Sequence, residues 1–238
     1  MLEAMRTISG ILLASCLSLH AADPAVTELM QSRDALRDRP FSEIVESATG
    51  RKVIPVDPAR HGAILHHIGR ALDETLRAFD DPAHPIHQSG RVNEASRHLE
   101  DVLRDRLSAI PGWTCAIPAT AEGREQRAGY PDLRIETDTG IVIYLDPKLY
   151  AAKNRDSALR TFYYEPKALT GKIQANAIHL LAGIAHDESG TRLRLTGWEL
   201  VDLSRVNVRV KIEFQASNRD LYAPETVVAQ SSEQGDLN

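Results

Sequence analysis

Apolar side chains recur at helical spacing in several stretches of the chain, and each stretch predicts a helix. Residues 59–79 and 92–110 carry an apolar position every three or four residues, and a Pro-Gly pair ends the second stretch. Residues 172–186 show a similar repeat, so a helix is predicted there too. The more polar residues 24–37 and 41–48 also favour helix. The pattern therefore predicts helices in the first half of the chain and one more among the later strands.

A second periodicity, with an apolar residue at every other position, covers residues 130–148. Successive side chains of a strand point to opposite faces, so the odd-numbered apolar residues share one face and should pack on the core. Residues 137–140 read Thr-Asp-Thr-Gly, which favours a tight turn because Asp tolerates left-handed backbone and Gly adopts it freely. The stretch therefore predicts a β-hairpin. Its inward positions are Leu133, Ile135, Ile141, Ile143 and Leu145.

Shorter stretches complete the predicted core. Residues 113–118 are expected to form the first core strand, and residues 119–129 a polar loop. Residues 192–203 and 206–214 alternate like strands. The predicted order is helix, three strands, helix, two strands, which makes the chain an α/β protein with helices packed on a central sheet.

Residues 1–22 have the composition of a signal peptide. A basic start precedes an apolar run that is too short to span a bilayer, and small residues end the run. The same run places Leu-Ala-Ser before Cys16, which is similar to a lipoprotein signal, so a lipid anchor on that cysteine is the alternative. A buried N-terminal helix is the structural alternative. We expect a secreted or periplasmic bacterial protein, or one that is lipid-anchored to the envelope, with no transmembrane helix after signal removal.

The overall composition permits a packed core and argues mildly against a tight, nonspecific DNA binder. The 238 residues are 42% hydrophobic and 26% charged, with a formal net charge of -5 at pH 7. Nucleic-acid-binding proteins usually show a basic footprint. Residues 150–170 are the local exception, because basic and aromatic side chains interleave there. They form either a nucleic-acid surface or a loop whose aromatic rings enter the core.

The polar face of the predicted hairpin carries the candidate chemistry. With the turn centred near Thr139, Asp132 lies opposite Asp146, where Cβ atoms are about 4.5–5.5 Å apart. Two carboxylates so placed repel each other, and a divalent metal ion between them removes the repulsion. Lys148 follows on the same face, within reach of a water or a phosphate. The spacing therefore indicates a metal site that acts on phosphate.

The residues Pro131-Asp132 and Asp146-Pro147-Lys148 resemble the PD-(D/E)xK signature of the restriction-endonuclease-like nuclease superfamily. The resemblance implies an αβββαβ core with a mixed central sheet flanked by helices, to which this chain adds an N-terminal helical extension. Proline at the variable position departs from the usual pattern. Because proline lacks an N–H, this strand should be exposed or distorted there.

The resemblance also implies the role of each site residue. Asp132 and Asp146 would bind Mg²⁺, for which Mn²⁺ is a possible substitute, and Lys148 would orient the attacking water or stabilise the transition state. The superfamily often adds a glutamate from the preceding helix, and Glu100 suits this role because it borders the apolar stripe. A solvated helix face is the alternative for Glu100. The charged and polar residues that could contact nucleic acid are Arg160, Lys167, Lys172 and Gln174.

The implied function is that of a secreted or periplasmic, metal-dependent nuclease that hydrolyses phosphodiester bonds, with DNA favoured over RNA. The alternative is a catalytically inactive nuclease fold that serves as a binding or structural module in the cell envelope. The predicted organisation is a signal peptide at residues 1–22, a helical extension at 23–90, a nuclease-like core at 91–226 and a disordered tail at 227–238.

Overall fold

The structure is a computed structural model that describes residues 23–81, 83–84, 92–158, 162–167, 171–187, 193–213 and 215–229. Several predictions lie outside these ranges: the signal peptide at 1–22, the lipid anchor at Cys16, the boundary at 90–91, the contact residue Arg160 and the tail beyond 229. The chain divides into two compact units, one of Met1–Arg37 with Val210–Asn238 and one of Asp38–Arg209.

The helices of the described residues are α1 (Pro24–Ala35), α2 (Phe41–Thr49), α3 (Pro58–Phe79), α4 (Val92–Ser108) and α5 (Asn218–Leu221). The strands are β1 (Arg39–Pro40), β2 (Thr114–Ala116), β3 (Leu133–Glu136), β4 (Val142–Ala151), β5 (Ile178–Asp187), β6 (Arg194–Asp202) and β7 (Asn207–Val208). Helices α3 and α4 confirm the predictions from apolar spacing, and α1 and α2 confirm those for the more polar residues 24–37 and 41–48. Within the described ranges, no helix combines the length and the apolar character that a membrane span requires.

The described residues of the smaller unit bury few side chains. Helix α1 buries none of its side chains, and α5 has only four residues, which are held by a capping box on Ser217. The two segments of the unit meet where the Val210 N–H donates to the Leu36 carbonyl at 3.5 Å. All candidate site residues that the structure describes belong to the larger unit.

The larger unit contains, among the described residues, a five-stranded sheet in the order β2-β3-β4-β5-β6. Strands β4 and β5 run parallel, and the other neighbours are antiparallel. The predicted mixed sheet flanked by helices is therefore confirmed. Strands β1 and β7 form a separate short ladder.

Two apolar clusters cover the two faces of this sheet. One cluster contains the apolar stripes of α3 and α4 together with the odd-numbered hairpin residues. The other contains Phe41 and Val45 of α2 and, from the opposite face of β4, Tyr144. Because β4 is covered on both sides, its even face is buried as well, and any charge there must be paired.

The helix predicted over residues 172–186 is wrong, because this segment contains β5, which pairs with β4 along its whole length. Ile178, Leu180 and Ile184 lie in the cluster with α3 and α4, and the side chains between them are also mostly buried. A strand that is buried on both faces is an almost continuous apolar run, which periodicity alone does not distinguish from a buried helix. The helix expected at this point of the αβββαβ order is therefore a strand.

The strand predicted over residues 206–214 is also wrong in extent. Among the described residues of this stretch, only Asn207–Val208 is a strand, and it pairs with β1 and not with the main sheet. Val210 is 39% exposed. A stretch of alternating apolar residues forms a strand only where the edge of another strand is free to pair with it. The strands predicted at residues 113–118 and 192–203 are confirmed as β2 and β6.

Gly140 and Gly62 both have room for a Cβ atom, but only Gly140 has a left-handed backbone conformation. Gly140, in the hairpin turn, has φ +76, and Gly62 lies inside α3; a Cβ added at either would meet nothing within 4 Å. We expect Gly140→Ala to lower the free energy of unfolding by about 1–2 kcal/mol, since alanine is strained in left-handed backbone. Gly62→Ala should raise it by about 0.5–1 kcal/mol, since alanine favours helix. Urea denaturation of both variants measures the two effects, and equal signs would contradict the assigned turn.

Candidate active site

The hairpin has the register that its apolar alternation predicts. Leu133 of β3 pairs with Leu145 of β4, and the same register continued by one residue places Asp132 beside Asp146. This is the opposition expected for a turn centred near Thr139, and it confirms the predicted alignment. The odd-numbered faces of both strands are committed to the core, so a slip by one residue would bury the wrong set of side chains.

Pro147 lies where β4 extends beyond β3. Strand β3 begins at Leu133, opposite Leu145, so no residue of β3 pairs with Pro147. On the other side of β4, Pro147 is in register with Ala182 of β5. The ladder between the two hairpin strands therefore stops before the proline, as expected for a residue without an N–H. Pro147 is itself buried and stays in regular register with β5, so the predicted exposure or distortion of the strand at the proline is wrong, and the side chain of Lys148 is 26% exposed.

Lys148 lies between both aspartates of the pair. Its Nζ donates to Asp132 Oδ2 at 2.7 Å and lies 2.7 Å from Asp146 Oδ2. The side chain of Asp132 is 12% exposed and that of Asp146 only 1% exposed. One ammonium thus holds two nearly buried carboxylates, which would otherwise repel each other in a region of low dielectric.

The buried charges shift one another's proton affinities. Burial, reinforced by the neighbouring Asp132 carboxylate, raises the pKa of Asp146 to about 7. Burial acts to lower the pKa of Lys148, but its ion pairs with Asp146 and Asp132 outweigh burial and raise it. The ammonium therefore stays charged, while Asp146 binds a proton more readily than an ordinary aspartate.

Glu100 reaches the same electrostatic environment from α4. Burial and the Asp132 carboxylate raise the pKa of Glu100 to about 7. Its side chain is 21% exposed, and its Oε2 lies 3.7 Å from Nη1 of Arg127. Arg127 also donates to Oδ1 of the neighbouring Asp101 at 2.7 Å. Glu100 is therefore at the edge of the acidic site, facing a loop arginine, and not on a fully solvated helix face.

The carboxylate oxygens of the two aspartates are suitable ligands for a hard divalent cation. Both bring an oxygen to 2.7 Å from one positively charged nitrogen, so they already converge on a cation. Among the described residues, no donor meets hydrogen-bond geometry at Oδ2 of Asp146. Mg²⁺ is commonly bound by one or two carboxylates, with waters and phosphate as further ligands. Within the same ranges, no three His, Cys, Asp or Glu side chains are already gathered into a group that could hold a metal ion.

The residues expected to contact nucleic acid have different environments. The amine of Lys167 is 3.0 Å from Glu165, in an exposed segment. Lys172 is only 5% exposed. Gln174 is exposed, and its side-chain amide donates to the Ala119 carbonyl at 2.8 Å. Of the neighbouring aromatics, Phe162 and Tyr164 pack against the cluster around Phe41, whereas Tyr163 is 54% exposed.

Sequence reasoning missed a buried polar pair behind the aspartates. The Tyr130 hydroxyl and Nδ1 of His179 are 2.7 Å apart, and both side chains are buried. Burial lowers the pKa of His179 to about 3, so the ring is neutral. Tyr130 directly precedes the Pro131-Asp132 motif, and His179 is on the strand next to β4. The available signal was a histidine within the apolar run of β5.

Comparison with known proteins places these residues in a family. A model of the type II restriction enzyme MjaV family matches residues 35–225, a range that contains Glu100, Asp132, Asp146 and Lys148. The type II restriction enzyme MjaV of Methanocaldococcus jannaschii is 31% identical over 202 residues, which cover 79% of this chain and 86% of that protein.

The ionised Asp146 carboxylate should lower the free energy of unfolding, because it is buried beside a second carboxylate. Because the pKa of Asp146 is raised by burial, the ionised form lowers the free energy of unfolding as the pH rises from about 4 to about 7. In EDTA at pH 8, Asp146→Asn should therefore raise that free energy by about 1–3 kcal/mol, and by less at pH 5. Urea denaturation at both pH values measures this. Asp156→Asn, at a side chain that is 90% exposed, is the control, and an Asp146→Asn variant less stable than the parent at pH 8 would contradict the expectation.

Proposed function

The chain belongs to the type II restriction enzyme MjaV family, and on this basis we propose that it is a metal-dependent endonuclease that hydrolyses phosphodiester bonds in DNA. One observation of the structure carries the proposal. Two nearly buried carboxylates on adjacent hairpin strands converge on a single ammonium, 2.7 Å from each. Such a pair has no evident value for stability, and its donors suit a metal ion beside a phosphate.

We assign the site to the PD-(D/E)xK type of the restriction-endonuclease-like superfamily. The assignment is supported by the order of Asp132 at the start of one hairpin strand and Asp146 and Lys148 on the next. The preceding helix α4 supplies Glu100 at the edge of the same charge cluster. The five-stranded mixed sheet is compatible with this fold, although β5 replaces the helix that the αβββαβ order had led us to expect.

In this proposal Asp132 and Asp146 hold Mg²⁺, for which Mn²⁺ can substitute, and Glu100 completes the ligand set or holds a water beside it. When bound, the metal ion supplies electrostatic stabilisation of the charge that develops on the phosphate. The buried position of Asp146 fixes its carboxylate, so that little reorganisation is needed when substrate binds.

Lys148 acts on the substrate side of the pair. Its side chain is 26% exposed, against 12% for Asp132 and 1% for Asp146, and lies beyond the last ladder contact between β3 and β4. From there it orients the attacking water or stabilises the negative charge on the transferring phosphoryl group. The exposed Lys167 and Gln174 are candidate contacts to the DNA backbone, and Arg160 remains a predicted contact outside the described residues.

The family favours a defined recognition sequence. A type II restriction enzyme relative supports cleavage into discrete fragments, so we propose a specific endonuclease and not a nuclease that degrades DNA without preference. The family match begins at residue 35 and does not include the predicted signal peptide at residues 1–22. Export to the periplasm or medium, or anchoring through Cys16, therefore stays a prediction from sequence.

The decisive assay incubates the purified chain with plasmid DNA in Mg²⁺, Mn²⁺ or EDTA. We expect discrete fragments with either metal and none in EDTA. Asp146→Ala and Lys148→Ala should each reduce the cleavage rate by at least about 100-fold, because each removes a charge that the reaction needs. Asp156→Ala is the matched control at an exposed position and should cleave at the parental rate.

The alternative function gives a different result in the same experiment. A catalytically inactive binding module would slow the migration of DNA in an electrophoretic mobility-shift assay. It would leave plasmid DNA and RNA uncleaved with either metal. Cleavage that persists at the parental rate in Asp146→Ala would contradict the assigned site, even if the chain is a nuclease.

A further inference from the structure

A short segment before β5 holds the loop that precedes the hairpin. The loop is residues 119–129, and the segment is residues 171–174. Two contacts join their outer parts: the Ala121 N–H donates to the Gly171 carbonyl at 3.1 Å, and the Gln174 side chain donates to the Ala119 carbonyl at 2.8 Å. The loop is otherwise polar and almost free of regular structure, so it depends on such contacts for a fixed conformation.

Lys172 makes the central contacts between the two. Its Nζ donates to the carbonyls of Gln126 and Arg127, at 3.1 and 3.3 Å. The residue is 5% exposed, and burial lowers the pKa of its amine. A buried ammonium that is committed to two backbone carbonyls is poorly placed to contact a DNA phosphate, which was the role predicted from sequence.

The held loop carries Arg127 to the active site. The guanidinium of Arg127 donates to Asp101 of α4 at 2.7 Å and lies 3.7 Å from Glu100. Lys172 therefore fixes the backbone of the very residue whose side chain contacts the edge of the acidic cluster. The segment is itself anchored, because the backbone N–H of Gln174 donates to the buried Tyr144 hydroxyl of β4 at 2.9 Å.

We propose that Lys172 is a positioning residue, which clamps the loop so that Arg127 holds Glu100 at the active site, and that it does not bind DNA itself. The inference rests on the proposed nuclease function and adds a residue to its machinery. The contacts form a continuous chain. Tyr144 of the sheet binds the 171–174 segment, Lys172 of that segment binds the loop, and Arg127 of the loop binds α4.

Kinetics distinguish this role from a DNA contact. With a plasmid that the parent cleaves, Lys172→Met should lower kcat by about 10- to 100-fold, the usual effect of losing a residue that orients a ligand, and leave KM unchanged. The dependence of DNA binding on salt, measured in EDTA, should also be unchanged. A lysine on a phosphate would instead raise KM and reduce the salt slope by about 1. Lys52→Met, at an exposed position, is the control and should behave as the parent.

Hydrogen exchange tests the clamp without relying on activity. Amides of residues 119–129 should exchange faster in Lys172→Met than in the parent or in Lys52→Met, while β4 and β5 keep their protection. If the parent cleaves no DNA, the proposed function fails, and this measurement still decides whether the clamp exists. Unchanged exchange in the loop would overturn the inference.

A double-mutant cycle tests the link to Arg127. Arg127→Gln should also lower kcat, and the two substitutions together should cost no more than the larger single effect, because both break one chain of contacts. Additive losses in kcat would overturn the link, as would a raised KM with normal kcat in Lys172→Met. Should Lys172→Met fail to fold, Lys172→Gln is measured in its place, with the same expected outcomes.

Discussion

The candidate active site depends on two like charges that face each other across a hairpin and share one ammonium. Asp132 and Asp146 are brought together by register, and the register is fixed because the odd faces of β3 and β4 belong to the core. Once the apolar residues are buried, the carboxylates have no other position. Lys148 then makes the pair tolerable, since it contacts both oxygens at 2.7 Å.

The parallel strand β5 explains why this pair is so deeply buried. It covers the side of β4 that faces away from β3, and Tyr144 and His179 fill the face that an ordinary hairpin would leave to water. Asp146 is consequently almost inaccessible, and burial raises its pKa to about 7. A site of this kind trades stability for a preorganised charge, which is common where catalysis needs fixed electrostatics.

The sequence predicted the hairpin and its polar face correctly because a turn and a strict period of two fix the register locally. It failed at β5, where Ile178 to Ile184 is buried on both faces and the period carries no information. It also named Lys172 as a residue that could contact nucleic acid. The carbonyls that accept hydrogen bonds from the Lys172 amine belong to Gln126 and Arg127, 46 and 45 residues earlier in the chain, and no local sequence pattern predicts such contacts. Glu100 was found because the apolar stripe of α4 fixes which face of the helix turns toward the sheet.

Two lysines near one acidic site differ in exposure and in the groups they contact, and this difference separates the roles proposed for them. The side chain of Lys148 is 26% exposed, in the part of β4 that extends beyond its pairing with β3, and in the proposed function its amine meets a substrate phosphate there. Lys172 is buried with its donors committed to main-chain carbonyls, so releasing it would leave those carbonyls unpaired. Burial and partner type, and not charge or closeness to the aspartates, are what separate a residue that acts on the substrate from one that holds the site together.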